Sequence, residues 1–198
     1  MKILAYCYGP ISDEKEFFCK QFIKENKDYE IVSSQDIRQK LTNEIFVKNK
    51  ETEKKVIEEL VGQCIKIFTK NKKRKNILIN GLFLNEESRL KLINSLESNI
   101  DSDFKKVAIA FLPKSSISTY EILKNKKEFK NLDFEYIKKQ FLNFKYAEKQ
   151  EEADLLIQRI QNYNEKFNLE CYIWKKQEVI ECDSFNKIAE FIKHINSF

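Results

Sequence analysis

Met1-Lys2-Ile3-Leu4-Ala5-Tyr6-Cys7-Tyr8-Gly9-Pro10-Ile11-Ser12-Asp13-Glu14-Lys15-Glu16 opens the chain. Ile3 to Tyr8 is apolar at every position, as a central parallel strand covered on both faces requires. Gly9-Pro10 ends the run, Ser12-Asp13 is a helix-start signal, and Lys15 stands six positions after Gly9. This is the frame of the loop G-x-x-x-x-G-K-[ST], which cradles anionic oxygens with backbone N–H groups at a helix N-terminus. Two of its four fixed positions differ here: Glu14 stands for the second glycine and Glu16 for the Ser/Thr.

Those differences have a physical cost. Glu14 adds a side chain and a charge where the backbone has to approach an anion. Asp13, Glu14 and Glu16 set three carboxylates against the single Lys15. Each unpaired carboxylate about 4 Å from a phosphate costs up to roughly 4 kcal/mol at an effective dielectric near 20. The same residues suit a helix that satisfies its own N-terminus. Ser12 or Asp13 serves as N-cap, Asp13-x-x-Glu16 approximates a capping box, and the acids complement the dipole. The expectation is a loop that has bound its own side chains.

Outward from this stretch, strand-like runs alternate with amphipathic helices. Helices are expected over about residues 13–26, 34–41, 51–72, 86–96, 118–126 and 133–146. Strands are expected at Tyr29–Val32, Asn76–Asn80, Val107–Leu112 and around Asp154–Ile157. Helices between strands imply a parallel sheet covered on both faces. The tail differs: Cys171–Trp174 and Glu178–Cys182 read as two strands around the Lys175–Gln177 turn, with a closing helix over Phe185–Ile195. Trp174 is expected to anchor this appendage, and Tyr6 and Tyr8 to sit in the core.

Composition narrows the function classes. The chain has 198 residues, 42% hydrophobic, enough for one domain with a core and a small appendage. Only 3 Gly and 2 Pro argue against long flexible linkers. The net charge of +5 is spread over many lysines, so a solvated basic surface is the default over a nucleic-acid face. The densest run, Lys72-Lys73-Arg74-Lys75, closes a helix, where cations complement the dipole. Cys7, Cys19, Cys64, Cys171 and Cys182 have no metal spacing and fit a reducing compartment. His194 is the only histidine, which excludes His-based triads and metal sites. No transmembrane stretch and no signal or transit peptide is visible, so an intracellular, cytoplasmic setting is expected.

Four segments, in order, resemble the P-loop kinases of the polynucleotide kinase and zeta-toxin type across residues 1–158. They are Tyr8-Gly9-Pro10 with Lys15, Val32 to Leu41 (VSSQDIRQKL), Ile77 to Asn85 (ILINGLFLN) with Arg89, and Val107 to Leu112 (VAIAFL). The resemblance implies that Gly9 and Lys15 face phosphates, that Arg38 grips substrate phosphate, and that lid residues Lys124, Lys126 and Lys127 replace the family's arginines. It also locates the departures. Glu16 replaces the hydroxyl that holds Mg²⁺, Gln35 the carboxylate that accepts the substrate proton, Asn80 the Asp that ends the third strand, and Leu82-Phe83 a T-N pair. An amide cannot act as that base, and lysine lacks the bidentate fork of arginine.

The expected fold is α/β: a three-layer P-loop NTPase of the kinase type, with a mainly parallel five-stranded sheet and a small C-terminal β/α extension. Residues 1–158 form the kinase-like domain and 159–198 the extension packed on it. The expected function is a binding or accessory module in a protein assembly, engaging a protein partner through the extension, with no cofactor and no catalytic residue. The alternative is a divergent ATP-dependent kinase acting on a nucleic-acid end, a nucleotide or a small hydroxyl compound. Asp36 and Arg38 would then be catalytic, Gly9, Lys15, Lys124 and Lys126 would bind nucleotide, and Glu16 or Asp36 would hold Mg²⁺. For Asp36 and Arg38 the default is an intrahelical or surface ion pair. Nucleic-acid binding through the lysine surface, without catalysis, is a weaker third option.

Overall fold

β1 (Lys2–Tyr8) runs through the middle of the sheet because its side chains are apolar on both faces and all but Lys2 are buried. A computed structural model describes residues 2–46, 49–70, 75–100, 103–129, 131–148, 152–163, 168–175, 178–182, 190 and 192. The strand order is β2-β3-β1-β4-β5-β6-β7. Here β2 is Tyr29–Ser33, β3 Asn76–Asn80, β4 Phe104–Phe111, β5 Leu155–Tyr163, β6 Asn168–Lys175 and β7 Glu178–Cys182. The first five strands are mutually parallel, as the strand–helix alternation predicts. β6 and β7 add to the same sheet in antiparallel fashion beyond β5.

β5 is longer than the Asp154–Ile157 core of the expectation and crosses residue 158. The extra length pairs with β6, a partner that local sequence does not reveal. Of the closing helix, only residues 190 and 192 are described, and both are helical. Lys72 to Arg74 and His194 lie outside the described residues, as do the side chains of Cys171, Trp174 and Cys182.

The helices fall on the two faces of the sheet. α1 (Asp13–Glu25) places Phe18, Cys19 and Phe22 against Ile3, Ala5 and Cys7, together with Ile192. On the other face α3 (Lys50–Lys70) presents Val56, Leu60, Cys64 and Phe68 at four-residue intervals to Leu4, Tyr6 and Tyr8. α4 (Glu86–Glu97) joins that layer with Leu92, Ile93 and Leu96, its start closed by an Asn85–Ser88 capping box. Each such side chain contributes about 1.5–3 kcal/mol on burial. Tyr6 and Tyr8 are fully buried, as expected, and burial pushes the Tyr8 phenol up to about 12.

α2 (Ser34–Thr42), α5 (Ser116–Leu123) and α6 (Phe134–Asn143) stand at the carboxyl ends of the strands. α6 ends three residues short of the expected Tyr146, where the Phe144 backbone turns extended. A third apolar cluster sits there, joining Ile11 of the loop, Ile45 and Phe46 after α2, and Leu123, Phe129, Leu132 and Ile137 of the α5–α6 lid. Gly9 is required at the end of β1: its φ is +131°, and a Cβ there would meet the Phe111 carbonyl oxygen at 1.9 Å. Among the described residues no helix is long and apolar enough to cross a membrane.

Candidate functional site

The carboxyl ends of β1, β3 and β4 bring the loops at Gly9–Ser12 and Gly81–Leu84 together, the place where open α/β sheets offer a crevice. The two loops are stitched by the backbone. Gly9 N–H donates to the Leu82 carbonyl (2.8 Å), and Gly81 N–H to the Cys7 carbonyl (3.1 Å). A Cβ on Gly81 would lie 2.1 Å from the Phe83 ring. Phe83 itself is buried at φ 39°, a conformation bulky residues seldom adopt.

Lys15 points into this junction with only 4% exposure. Its Nζ donates to the carbonyls of Gly9 (2.8 Å) and Gly81 (2.7 Å). Burial lowers its pKa to about 8, against smaller raising effects from the Cys19 and Cys7 thiols and Glu16. At that value the ammonium is the main form near neutral pH, and two of its three N–H donors go to the two carbonyls.

The helix start differs from the expected capping box. Ser12 is the N-cap of α1, its Oγ accepting from Lys15 N–H (3.3 Å), and this puts Lys15, not Glu16, at the third helical position. Glu16 is thereby released to accept from Asn80 Nδ2 (2.8 Å) and to pair with Lys20 (3.2 Å). Two positions that depart from the resemblance, Glu16 and Asn80, are therefore hydrogen-bonded to each other.

Arg38 does not pair with Asp36 on its own helix. Its Nε and Nη2 grip Glu53 of α3 at 2.5 and 2.8 Å, and Nη1 donates to the Ile45 carbonyl at 3.0 Å. A bidentate partner on another helix wins because two parallel charge-assisted bonds exceed one intrahelical contact. Asp36 is exposed beside the cleft, its N–H donating to the Ser33 cap (3.2 Å). Partial desolvation of its carboxyl at the protein surface, followed by the nearby Glu16 charge, raises its pKa.

Of the lid lysines, one reaches the loop: Lys126 Nζ binds Asp13 Oδ1 at 2.6 Å. Lys124 pairs with Glu121 and lies over the Tyr120 ring at 5.7 Å, while Lys127 is exposed. The residue that sequence reasoning missed is Gln140. It is 4% exposed, and its Oε1 accepts from Ile11 N–H at 2.8 Å. The available signal was a polar residue in an apolar stripe, since Ile137, Gln140, Phe141 and Phe144 share a helical face.

Gly9, Lys15, Glu16 and Arg38 thus converge, with Gln35 and Asn80 also lining the space between them. That space is about 20 Å³, room for roughly one water. ATP with Mg²⁺, the group implied by the fold, needs loop N–H donors and a phosphate-sized cradle. With Ile11 N–H taken by Gln140 and Lys15 turned onto carbonyls, the residues as arranged do not fit a triphosphate.

No protein-family model matches the chain, and no curated protein matches it. Solved structures do. The APS kinase CysC of Mycobacterium tuberculosis, in complex with AMPPNP and APS, aligns over 100% of this chain and 98% of its own, at TM-score 0.57 and 10% identity. A chain of the PezAT toxin–antitoxin system of Streptococcus pneumoniae aligns over 98% and 78%, at TM-score 0.57 and 15% identity. A chain of the Pnkp1/Rnl/Hen1 RNA repair complex aligns over 72% of this chain, at TM-score 0.58 and 14% identity; the match spans only 43% of that longer chain. The fold is that of the P-loop kinases.

Proposed function

We propose that this chain uses the P-loop kinase fold without phosphotransfer, as a binding or accessory module in a protein assembly, its phosphate loop held shut by its own side chains. The observation that carries this reading is the buried Lys15 ammonium donating to the Gly9 and Gly81 carbonyls. The Lys126–Asp13 pair and the Gln140–Ile11 bond lie in the same junction. A protein partner is proposed to engage the C-terminal extension, whose strands β6 and β7 lengthen the sheet beyond β5. The buried free thiols Cys7, Cys19 and Cys64 suit a reducing, cytoplasmic setting.

One observation favours a second reading, a divergent ATP-dependent kinase. Glu16 places a carboxylate where the resemblance puts the Mg²⁺-holding hydroxyl, and Asp36 lies close enough to sense its charge. In that reading Arg38, Lys124 and Lys126 would have to leave Glu53, Glu121 and Asp13 to hold phosphate.

Calorimetry with ATP and ADP, each with and without Mg²⁺, separates the two. The module reading expects no heat and no melting shift at millimolar nucleotide. Micromolar, Mg²⁺-dependent binding that disappears in Lys15→Ala would overturn it and leave the kinase.

A further inference from the structure

Gly81 to Leu84, the segment that follows β3, has each of its carbonyls taken by a donor from elsewhere in the chain. Lys15 Nζ of α1 donates to Gly81 (2.7 Å), and Gly9 N–H of the loop to Leu82 (2.8 Å). Arg89 Nη1 of α4 donates to Phe83 (3.1 Å), and Lys145 N–H, just past the end of α6, to Leu84 (2.7 Å). Consecutive peptide planes are therefore fixed from four directions.

The torsion held between them is one that a bulky residue does not choose. Phe83 is buried at φ 39°, the left-handed region that L side chains avoid. Its ring fits only because Gly81 has no Cβ, and it meets the Tyr6 ring edge-on at 6.5 Å. Strain of this kind biases an equilibrium by about 5- to 150-fold, and it persists only where the surroundings over-determine the conformation.

The four grips are not independent. Lys15 also donates to the Gly9 carbonyl (2.8 Å), so it steadies the residue whose N–H holds Leu82. Arg89 Nη1 donates to the Lys145 carbonyl (2.9 Å) as well as to Phe83. Lys145 is thus tied to the segment through its own N–H and, by way of the guanidinium, through its carbonyl. Residues 144–148 lead out of α6, which carries Gln140 and its bond to Ile11. One end of the strained segment meets the buried lysine, and the other holds the exit of the lid.

We propose that Gly81–Leu84 is a strained latch through which the position of Lys15 sets the hold on residues 144–148 and, with them, on the lid. With Lys15 on its two carbonyls, Phe83 stays at positive φ and Leu84 offers its oxygen to Lys145. With Lys15 withdrawn, Phe83 relaxes to negative φ, the Leu84 carbonyl turns, and Lys145 is released. Coupling is reciprocal, so a protein partner that draws residues 144–148 away also loosens Lys15. This rests on the reading of a loop closed by its own lysine and adds the means by which a partner opens it.

The test is amide exchange of the full chain without nucleotide, read at Lys145 N–H and Gly9 N–H against the β3 amides. Lys15→Met should accelerate Lys145 about tenfold or more relative to β3, within the bias that such strain supplies. Gly81→Ala keeps the lysine and, since Gly81 is not at positive φ, costs only the contact of a methyl with the Phe83 ring. It should accelerate Lys145 as well. Phe83→Gly takes up the same torsion without strain, so in that background Lys15→Met should no longer move Lys145. Should loss of the buried ring unfold that variant, Gly81→Ala decides alone. A Lys145 rate indifferent to Gly81→Ala overturns the latch, as does a response to Lys15→Met that persists in full with Phe83→Gly. If Lys15→Met accelerates Gly9 but not Lys145, the closed loop stands and the latch falls. If it accelerates neither, both fall.

Discussion

At the scale of single residues, Lys15 shows how a position can be legible while its role is not. Its spacing from Gly9 is plain in the sequence, but Gly81, which supplies half of its binding, lies 66 residues away. Its depressed pKa makes a testable statement. The folded value of about 8 lies below the usual 10.5, so between those pH values the unfolded chain binds more protons and stability rises with pH. Buried Cys7 and Cys64, whose thiols are pushed up, act in the opposite direction as pH rises. The comparison of wild type with Lys15→Met cancels Cys64 and leaves the lysine together with its influence on the neighbouring Cys7 thiol. Between pH 7.5 and 10 the wild type should gain about 2–3 kcal/mol on the variant in urea unfolding, following the conversion of pKa shift to energy. A difference that stays flat over that range would mean the ammonium is not desolvated, and the closed loop would lose its main support.

At the scale of elements, the order of strands and helices was readable because each carries its own local pattern. β3 carries the apolar run Ile77–Ile79 between two asparagines, α3 repeats its apolar side chains every three to four residues, and Ser33 and Asp133 cap the helices that follow them. What joins the elements was not readable, and Arg89 is the clearest case. Read from sequence as a motif residue, it is fully buried and binds Glu152 at 2.5 Å, the Phe83 and Lys145 carbonyls, and the Tyr146 carbonyl. Its guanidinium also lies over the Tyr8 ring at 4.8 Å. The pair ties α4 to the segment between α6 and β5, and Glu152 in turn accepts from Glu148 N–H (3.0 Å). Removing one partner leaves a buried charge uncompensated, so Arg89→Met should cost about 3–5 kcal/mol in denaturant unfolding. A loss under about 1 kcal/mol, typical of an exposed pair, would show that solvent reaches Glu152 and that the segment is held by its apolar contacts instead.

At the scale of the whole molecule, the lid and the loop form one closed unit for apolar as much as ionic reasons. The Lys126–Asp13 pair is over a third exposed on each side, which limits it to roughly 0–1 kcal/mol. The cluster of Ile11, Phe46, Leu123, Phe129 and Ile137 therefore carries more of the closure than any charge. Neither its existence nor its reach to Ile11 could be read locally, since its buried members come from three separate segments of the chain, the loop, the stretch after α2 and the α5–α6 lid. Closure of this kind predicts a hierarchy of opening. Ile137 is wholly buried in the cluster but does not touch the sheet cores, so Ile137→Ala removes about 2–4 kcal/mol from the lid's hold. Amide exchange in α5 and α6 should then accelerate on the order of a hundredfold, the fold-change that energy implies, with β1, β3 and β4 unchanged. The same variant should also uncover Ile11 N–H and the carbonyl-bound face of Lys15, because Gln140 rides on α6 one turn away. If β1 and β3 accelerate in step with the lid, the lid is not a separate cooperative unit but a part of the core. If only the lid responds, nucleotide binding by this variant becomes the direct measure of whether the loop beneath is closed or incapable.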